Sequence, residues 1–174
     1  MSEMNRKNID GLTVLALGGN LPGVYDSVQA AMEAALGGLG RIGLDLVARS
    51  SWWRSAAWPD PSDPPFLNGV ALVDTDLEPL EILRRLRALE SDFGARTGPR
   101  NSPRVLDLDL ISHGRTVLAV PELTLPHPRA AERLFVMGPL AEIAPDWRHP
   151  VLGETAAALA AKAQVGADAR PIDR

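Results

Sequence analysis

Two aspartates stand two positions apart in Arg104-Val105-Leu106-Asp107-Leu108-Asp109-Leu110-Ile111. In an extended chain alternate side chains share a face. Leu106, Leu108 and Leu110 then point one way and Asp107 and Asp109 the other, their Cα atoms about 6.6 Å apart. Two like charges at that spacing are costly unless a cation sits between them. Magnesium suits, because it takes one or two carboxylates and completes its octahedron with water and phosphate oxygens. Two such ions could clamp both sides of a transferring phosphoryl group. The plainer reading is the polar face of a half-buried strand. The neighbours favour chemistry: Arg96, Arg100 and Arg104 lie just upstream. An arginine fork donates two hydrogen bonds to a phosphate at once. Carboxylates for metal plus arginines for phosphate are the minimum kit for phosphoryl transfer. There is no G-x-x-x-x-G-K-[ST] loop, and Leu17-Gly18-Gly19-Asn20 is too short to count as a phosphate cradle.

Other residues stand out less sharply. His127 is fenced by Pro126 and Pro128, with Arg129 and Arg133 close by. It is either a surface hydrogen-bonder or a phosphate contact. Asn68 falls inside a strand pattern, where Asn is depleted. A buried amide must satisfy both a carbonyl and an NH2 group. Reading a heterocycle edge is one way, and bonding the preceding Pro-rich loop is another. Of Trp52, Trp53 and Trp58, core packing suits at least two. His113 and His149 read as turn residues.

These residues need elements to position them. Thr13 to Leu17 is a short apolar run ended by Gly18-Gly19-Asn20, which predicts a buried strand and a turn. Apolar residues recur at helical spacing from Val28 to Leu39, predicting a helix over about 24–39. The alternation over 42–55 predicts one long strand. Four prolines force 56–65 into a loop. Phe66–Asp74 is the next strand. Pro79 opens a second helix with Ile82, Leu83, Leu86, Leu89 and Phe93 as its buried stripe. A Gly/Pro/Arg-rich segment, 94–103, leads into the strand 105–111. Thr116–Val120 is expected to pair with that strand through His113-Gly114. Helices follow over about 129–143 and 154–163. The fold class is α+β: a ferredoxin-like β-α-β-β-α-β core with an antiparallel sheet and a C-terminal helical extension. We read residues 1–174 as a single domain, with 1–11 and 165–174 as flexible tails.

Composition narrows the class further. The 174 residues are 45% hydrophobic and 23% charged, as in an ordinary globular domain. Without cysteine there is no disulfide, thiolate catalysis or Cys-ligated zinc. No apolar run approaches a membrane span and the first residues lack a signal-peptide core, so a cytoplasmic protein is expected. The net charge of −4 argues against a general nucleic-acid binder. Yet positions 84–115 hold seven arginines against four acids, a local +3. That excess points to an anionic ligand at one place.

Taken together, the residues resemble the 6-hydroxymethyl-7,8-dihydropterin pyrophosphokinase family of folate synthesis. The resemblance rests on Arg100-Asn101-Ser102-Pro103-Arg104-Val105-Leu106-Asp107-Leu108-Asp109-Leu110-Ile111. Four further segments fit in order: Leu17–Leu21, Phe66–Asn68, Leu123–Arg129 and Arg133–Pro145. Such enzymes transfer pyrophosphate from MgATP to the pterin hydroxymethyl group and release AMP. The resemblance implies that Asp107 and Asp109 hold two Mg2+ ions. It implies ATP contacts from Glu90, Arg100, Arg104, Leu110, Thr124, His127 and Arg133. Of the arginines, Arg96, Arg104 and Arg133 take catalytic roles. Ser55, Ala56, Trp58, Phe66, Asn68 and Phe135 bind the pterin. ATP and 6-hydroxymethyl-7,8-dihydropterin are then the partners, with no nucleic acid, no membrane and a monomeric state. Segments 56–65 and 94–103 match loops that close over substrate and exclude water.

Some positions depart from the family. Gly94-Ala95-Arg96-Thr97 stands where Gly-Arg-x-Arg is common, so Arg96 replaces either arginine. Asn101 stands where a lid Trp is usual, and Gly19 where Ser is usual. No side chain is an obvious strong general base, so metal-assisted deprotonation of the hydroxyl is expected. Arg104 and Arg133 would neutralise developing charge. The alternative class is a ferredoxin-like nucleic-acid-binding module using the Arg84–Arg115 cluster. That module needs exposed aromatics on the sheet, where this sequence offers aspartates.

Overall fold

A computed structural model describes residues 9–94 and 102–172. The chain runs β1 (Thr13–Gly19), α1 (Val28–Gly38), β2 (Asp45–Arg49), β3 (Trp53–Ser55), β4 (Phe66–Asp74), α2 (Pro79–Asp92) and β5 (Asp107–His113). A hairpin follows, β6 (Leu118–Val120) and β7 (Leu123–Leu125), then α3 (Leu134–Ile143), α4 (Ala156–Lys162) and β8 (Arg170–Pro171). The main sheet has the order β5-β1-β4-β3-β8, with β2 also on β4, and every pairing is antiparallel. This is the ferredoxin-like α+β arrangement. Ser27 starts α1 by accepting from Ala30 N, and Pro79 occupies the first turn of α2.

Alternation divides the sheet into two faces. Leu15, Leu17, Leu67, Ala71, Val73, Leu108 and Leu110 pack against α1 and α2, led by Met32, Leu36, Ile82 and Leu86. Val14, Ala16, Val70, Leu72 and Ile111 pack against α3 and α4, with Met137, Leu140, Leu159 and Trp147. Among the described residues no helix is long and apolar enough to cross a membrane.

Four expectations need correction. The strand over 42–55 is two strands. A register shift lies between Leu46 and Ala48, and Ser50 turns its hydroxyl to Val70 N in place of a regular ladder. The irregularity leaves Leu46 and Val47 both nearly half exposed, at 44% and 47%. Residues 116–120 do not pair with β5. Gly114 donates its N–H to Leu12 O, drawing the chain away, and β6 pairs with β7 instead. The helix expected from 129 begins as a 3-10 turn (Ala130–Glu132), and α3 starts at Leu134. The expected tails are also partly packed. Ile9 is buried, and 165–172 end in β8, which pairs with β3.

Candidate active site

The sheet register builds the site. Gly18 on β1 lies between Asn68 on β4 and Asp107 on β5; one row on, Ala16 lies between Val70 and Asp109. The α3–α4 layer covers Val70 and Ala16 but stops short of the Asn68–Gly18–Asp107 row. What remains is a cleft of about 1040 Å3 lined by Gly18, Ser55, Phe66, Asn68, Asp107 and Asp109, with Arg104 and Arg133 beside them. The approach of the chain beside it depends on Gly19. A Cβ there would lie 2.2 Å from Val105 O.

One end of the cleft is neutral. Asn68 is 6% exposed and donates from Nδ2 to Ser55 Oγ at 2.9 Å. That assignment of the amide leaves Oδ1 as the acceptor available to a ligand. Phe66, Phe135, Ala56 and Trp58 complete the walls, and Trp58 stands 73% exposed. The other two candidate tryptophans pack: Trp52 in the core and Trp53 against Gly138.

The other end is charged. Burial, and then the charge of Asp107, push the Asp109 carboxyl up to about 6, against the opposing charges of Arg87 and Arg133. Arg104 Nη1 lies 3.5 Å from Asp107 Oδ2. The Arg133 guanidinium carbon sits 5.6 Å from the centre of the Phe135 ring, so one side chain touches both ends. Asp109 also lines a second cavity of about 240 Å3 with Leu110, Thr124, His127 and Arg87. Burial, and then Arg133 and Arg129, pull His127 down to about 4, so it is neutral near pH 7. Its Nδ1 accepts from Arg129 N at 3.2 Å, which assigns the ring proton to Nε2. The histidine is positioned by its own N–H, which donates to Ile111 O at 2.8 Å.

The two aspartates fit a hard divalent cation. They offer only oxygen, and Asp107 raises the cost of charge on Asp109. Among the described residues no cluster of three or more His, Asp or Glu exists that could hold a metal. Two carboxylates with the remaining positions left to water and phosphate is the donor set magnesium takes.

Not every expected residue comes to the site. Glu90 lines neither cavity. It is buried and accepts from Leu108 N at 2.7 Å and from Arg87 Nη1 at 2.8 Å, fastening α2 to β5. Arg96 and Arg100 lie outside the described residues, as does Asn101. His113 and His149 are turn-builders: His113 Nδ1 pairs with Thr13 Oγ1, and His149 Nδ1 accepts from Val151 and Leu152 N–H.

Three contributions escaped the sequence reading. Asn20 is 2% exposed and donates to Pro64 O at 2.9 Å while accepting from Arg104 N at 2.8 Å. It ties the end of the Pro-rich loop to the start of the aspartate strand. The signal available was a polar residue directly after an apolar strand and two glycines. Arg87 faces the second cavity; spacing put it only within the arginine cluster. Residues 165–168 line the main cleft, and no apolar periodicity marks them.

Comparison with known proteins gives the family. A family model described as 7,8-dihydro-6-hydroxymethylpterin-pyrophosphokinase (HPPK) matches residues 14–145. The chain is 43% identical over 143 residues to the 2-amino-4-hydroxy-6-hydroxymethyldihydropteridine pyrophosphokinase of Synechocystis sp., covering 82% of this chain and 71% of that protein. It is 40% identical over 137 residues to the Pseudomonas aeruginosa protein of the same name, covering 78% and 82%. Among solved structures, wild-type Plasmodium falciparum HPPK-DHPS with pteroate superposes with a TM-score of 0.68 over 87% of this chain, at 13% identity. The chain spans only 42% of that longer one, so this likeness concerns the fold alone. The family match takes in Gly18, Asn68, Asp107, Asp109, His127 and Arg133 but not residues 165–168, and the chain belongs to the 7,8-dihydro-6-hydroxymethylpterin-pyrophosphokinase family.

Proposed function

We infer that this chain transfers pyrophosphate from MgATP to the hydroxymethyl group of 6-hydroxymethyl-7,8-dihydropterin, in folate biosynthesis. The hydroxyl gives up its proton to solvent, its oxygen bonds to the β-phosphorus, the bond from that phosphorus to the α–β bridging oxygen breaks, and AMP leaves. The observation that carries this reading is that Asp109 lines both cavities. A planar heterocycle in the neutral end and a nucleotide reaching the second cavity would meet beside the aspartate pair.

Each residue has a task. Asn68 Oδ1 accepts from an N–H on the pterin edge, while Ser55 fixes the amide. Phe66 and Phe135 flank the ring, with Ala56 and Trp58 as the outer wall. Arg104 and Arg133 donate to phosphate oxygens and offset the charge that develops as the β-phosphorus is attacked. Neutral His127 donates from Nε2, and Thr124 and Leu110 line the nucleotide side. Asp107 and Asp109 would hold two magnesium ions. When bound, these supply charge neutralisation on the phosphates and acidify a hydroxyl in their coordination sphere. Arg96 and Arg100 extend the phosphate contacts, Arg96 as a catalytic group. Glu90 supports the ATP side through Arg87 and the β5 backbone. The chain works as one domain, as a monomer and in the cytoplasm. Nothing favours the nucleic-acid-binding reading, since the open sheet face carries aspartates.

The test is product analysis with ATP, Mg2+ and 6-hydroxymethyl-7,8-dihydropterin. The expected products are AMP and the pterin diphosphate in equal amounts. ADP in place of AMP would make the protein a simple kinase and overturn the reading.

A further inference from the structure

The segment 165–172 is joined to both walls of the neutral end. On one side Leu134 N donates to Val165 O at 2.9 Å and Val165 N donates to Glu132 O at 3.0 Å. That stitch brackets Arg133. Gly166 follows at φ +67°, and a Cβ there would lie 2.5 Å from Phe135 Cδ1. On the other side Arg170 and Pro171 pair with Arg54 and Trp53, and Ile172 N donates to Trp52 O at 3.0 Å. Between these anchors Asp168 Oδ2 accepts from Ala56 N at 2.7 Å. Asp168 lines the cleft itself, with Val165, Gly166 and Ala167.

We propose that this C-terminal segment is a strap that sets the width of the pterin end, and that Asp168 is its positioning residue. The inference rests on the pterin assignment made above. Ala56 follows Ser55, whose hydroxyl orients Asn68, and precedes Ala57 and Trp58. Its N–H has no strand partner, because the β3–β4 pairing ends at Ser55–Phe66. A carboxylate on that donor is a charge-assisted hydrogen bond, stronger than a neutral one. It holds the first-loop wall at a fixed distance from Phe135, which Gly166 touches from the other side. Removing the clamp lets the Ala56–Trp58 wall move away from the ring it must cover. Arg104, Asp107 and Asp109 are held away from the strap, by Asn20 and by the β1–β5 pairing, and the Val165 stitch beside Arg133 is left intact by this change. The effect therefore falls on pterin binding and not on ATP.

The experiment is steady-state kinetics on the full chain with both substrates varied in turn, for wild type, Asp168→Ala and Asp168→Asn. Asn keeps an oxygen that accepts from Ala56 N, so it should restore most of the wild-type behaviour. For Asp168→Ala, KM for the pterin should rise about tenfold, the order expected on losing one charge-assisted hydrogen bond that holds a binding wall. KM for ATP should stay within about twofold and kcat should fall much less than pterin KM rises. Gly166→Ala provides a second route, because its Cβ must push Phe135 or the strap aside; it too should raise pterin KM. Unchanged pterin KM in Asp168→Ala overturns the inference, as do equal rises for both substrates. Absence of AMP formation by the wild-type chain is a different failure, and would sink the functional reading itself.

Discussion

The two ends of the cleft are finished to different degrees. At the neutral end the groups that shape the walls are tied within the protein, and Asn68 Oδ1 is left to a ligand. Asn68 bonds Ser55, Asp168 bonds Ala56 N, and Phe135 rests on Gly166. At the charged end two carboxylates share one sheet face, and the Asp109 carboxyl is pushed up to about 6 by burial and by Asp107. Arg87 and Arg133 only partly offset this. The neutral end is thus shaped before substrate arrives. The charged end carries an electrostatic cost on Asp109 that a cation and phosphate oxygens would relieve.

The largest test of that contrast is to remove a carboxylate. Asp107→Ala or Asp109→Ala should lower turnover by a factor of about 10^3 or more, because positioning and charge neutralisation carry phosphoryl transfer. Near-normal turnover in either variant, measured by AMP release, would break the comparison. At the neutral end, Asn68→Ala should raise pterin KM by about 10- to 100-fold, the loss of one or two buried hydrogen bonds. Its KM for ATP should barely move. Parallel rises in both constants would mean that the two ends are not separate.

The pH dependence separates them as well. A proton on Asp109 competes with the cation, so the Mg2+ concentration giving half-maximal rate should climb as pH falls through about 6. His127, pulled down to about 4, stays neutral across that window and should add no inflection between pH 5 and 8. Rate profiles at low and saturating Mg2+ would reveal this: the acid limb should weaken when Mg2+ is saturating.

The smallest expected effect is on stability, and its sign differs between the ends. Asp109 has a raised pKa in the folded state. Its charge therefore opposes folding, with the penalty absent below the unfolded value near 4 and fully developed above about 6. Asp109→Asn should stabilise the metal-free protein at pH 7.5 by about 1–2 kcal/mol, or a Tm rise of about 3–6 °C. Asn68→Ala leaves the Ser55 hydroxyl without its partner and should lower Tm, at a cost of about 1–3 kcal/mol. Thermal melts of the two variants without Mg2+ decide the point; shifts of the same sign would contradict it.

The parts of this molecule legible in the sequence are those with local periodicity. β1, α1, β4, α2 and the aspartate strand follow from apolar spacing and turn residues. The shared face of Asp107 and Asp109 follows from the two-residue period alone. What was not legible depends on partners distant in sequence. The break in 42–55 comes from Ser50 bonding Val70, and the departure of 116–120 from Gly114 bonding Leu12. Asn20 reads as a turn residue until Pro64 and Arg104 meet at its amide. The strap has no apolar rhythm because backbone pairing with β3 and Arg133 holds it. The bonds of the Glu90 carboxylate to Leu108 N and Arg87 likewise join β5 and α2, and no local spacing announces them.

The most direct test of the contrast is equilibrium binding of α,β-methylene-ATP, whose α–β bridge cannot be cleaved, at pH 7.5 with Mg2+ and with chelator. Calorimetry on the wild-type chain should give affinity at least about 100-fold higher with Mg2+, as expected when a dication bridges paired carboxylates and phosphate. Asp109→Asn should lose most of that difference. Equal affinity with and without Mg2+ in the wild type would contradict the claim that the charged end is completed by its cation.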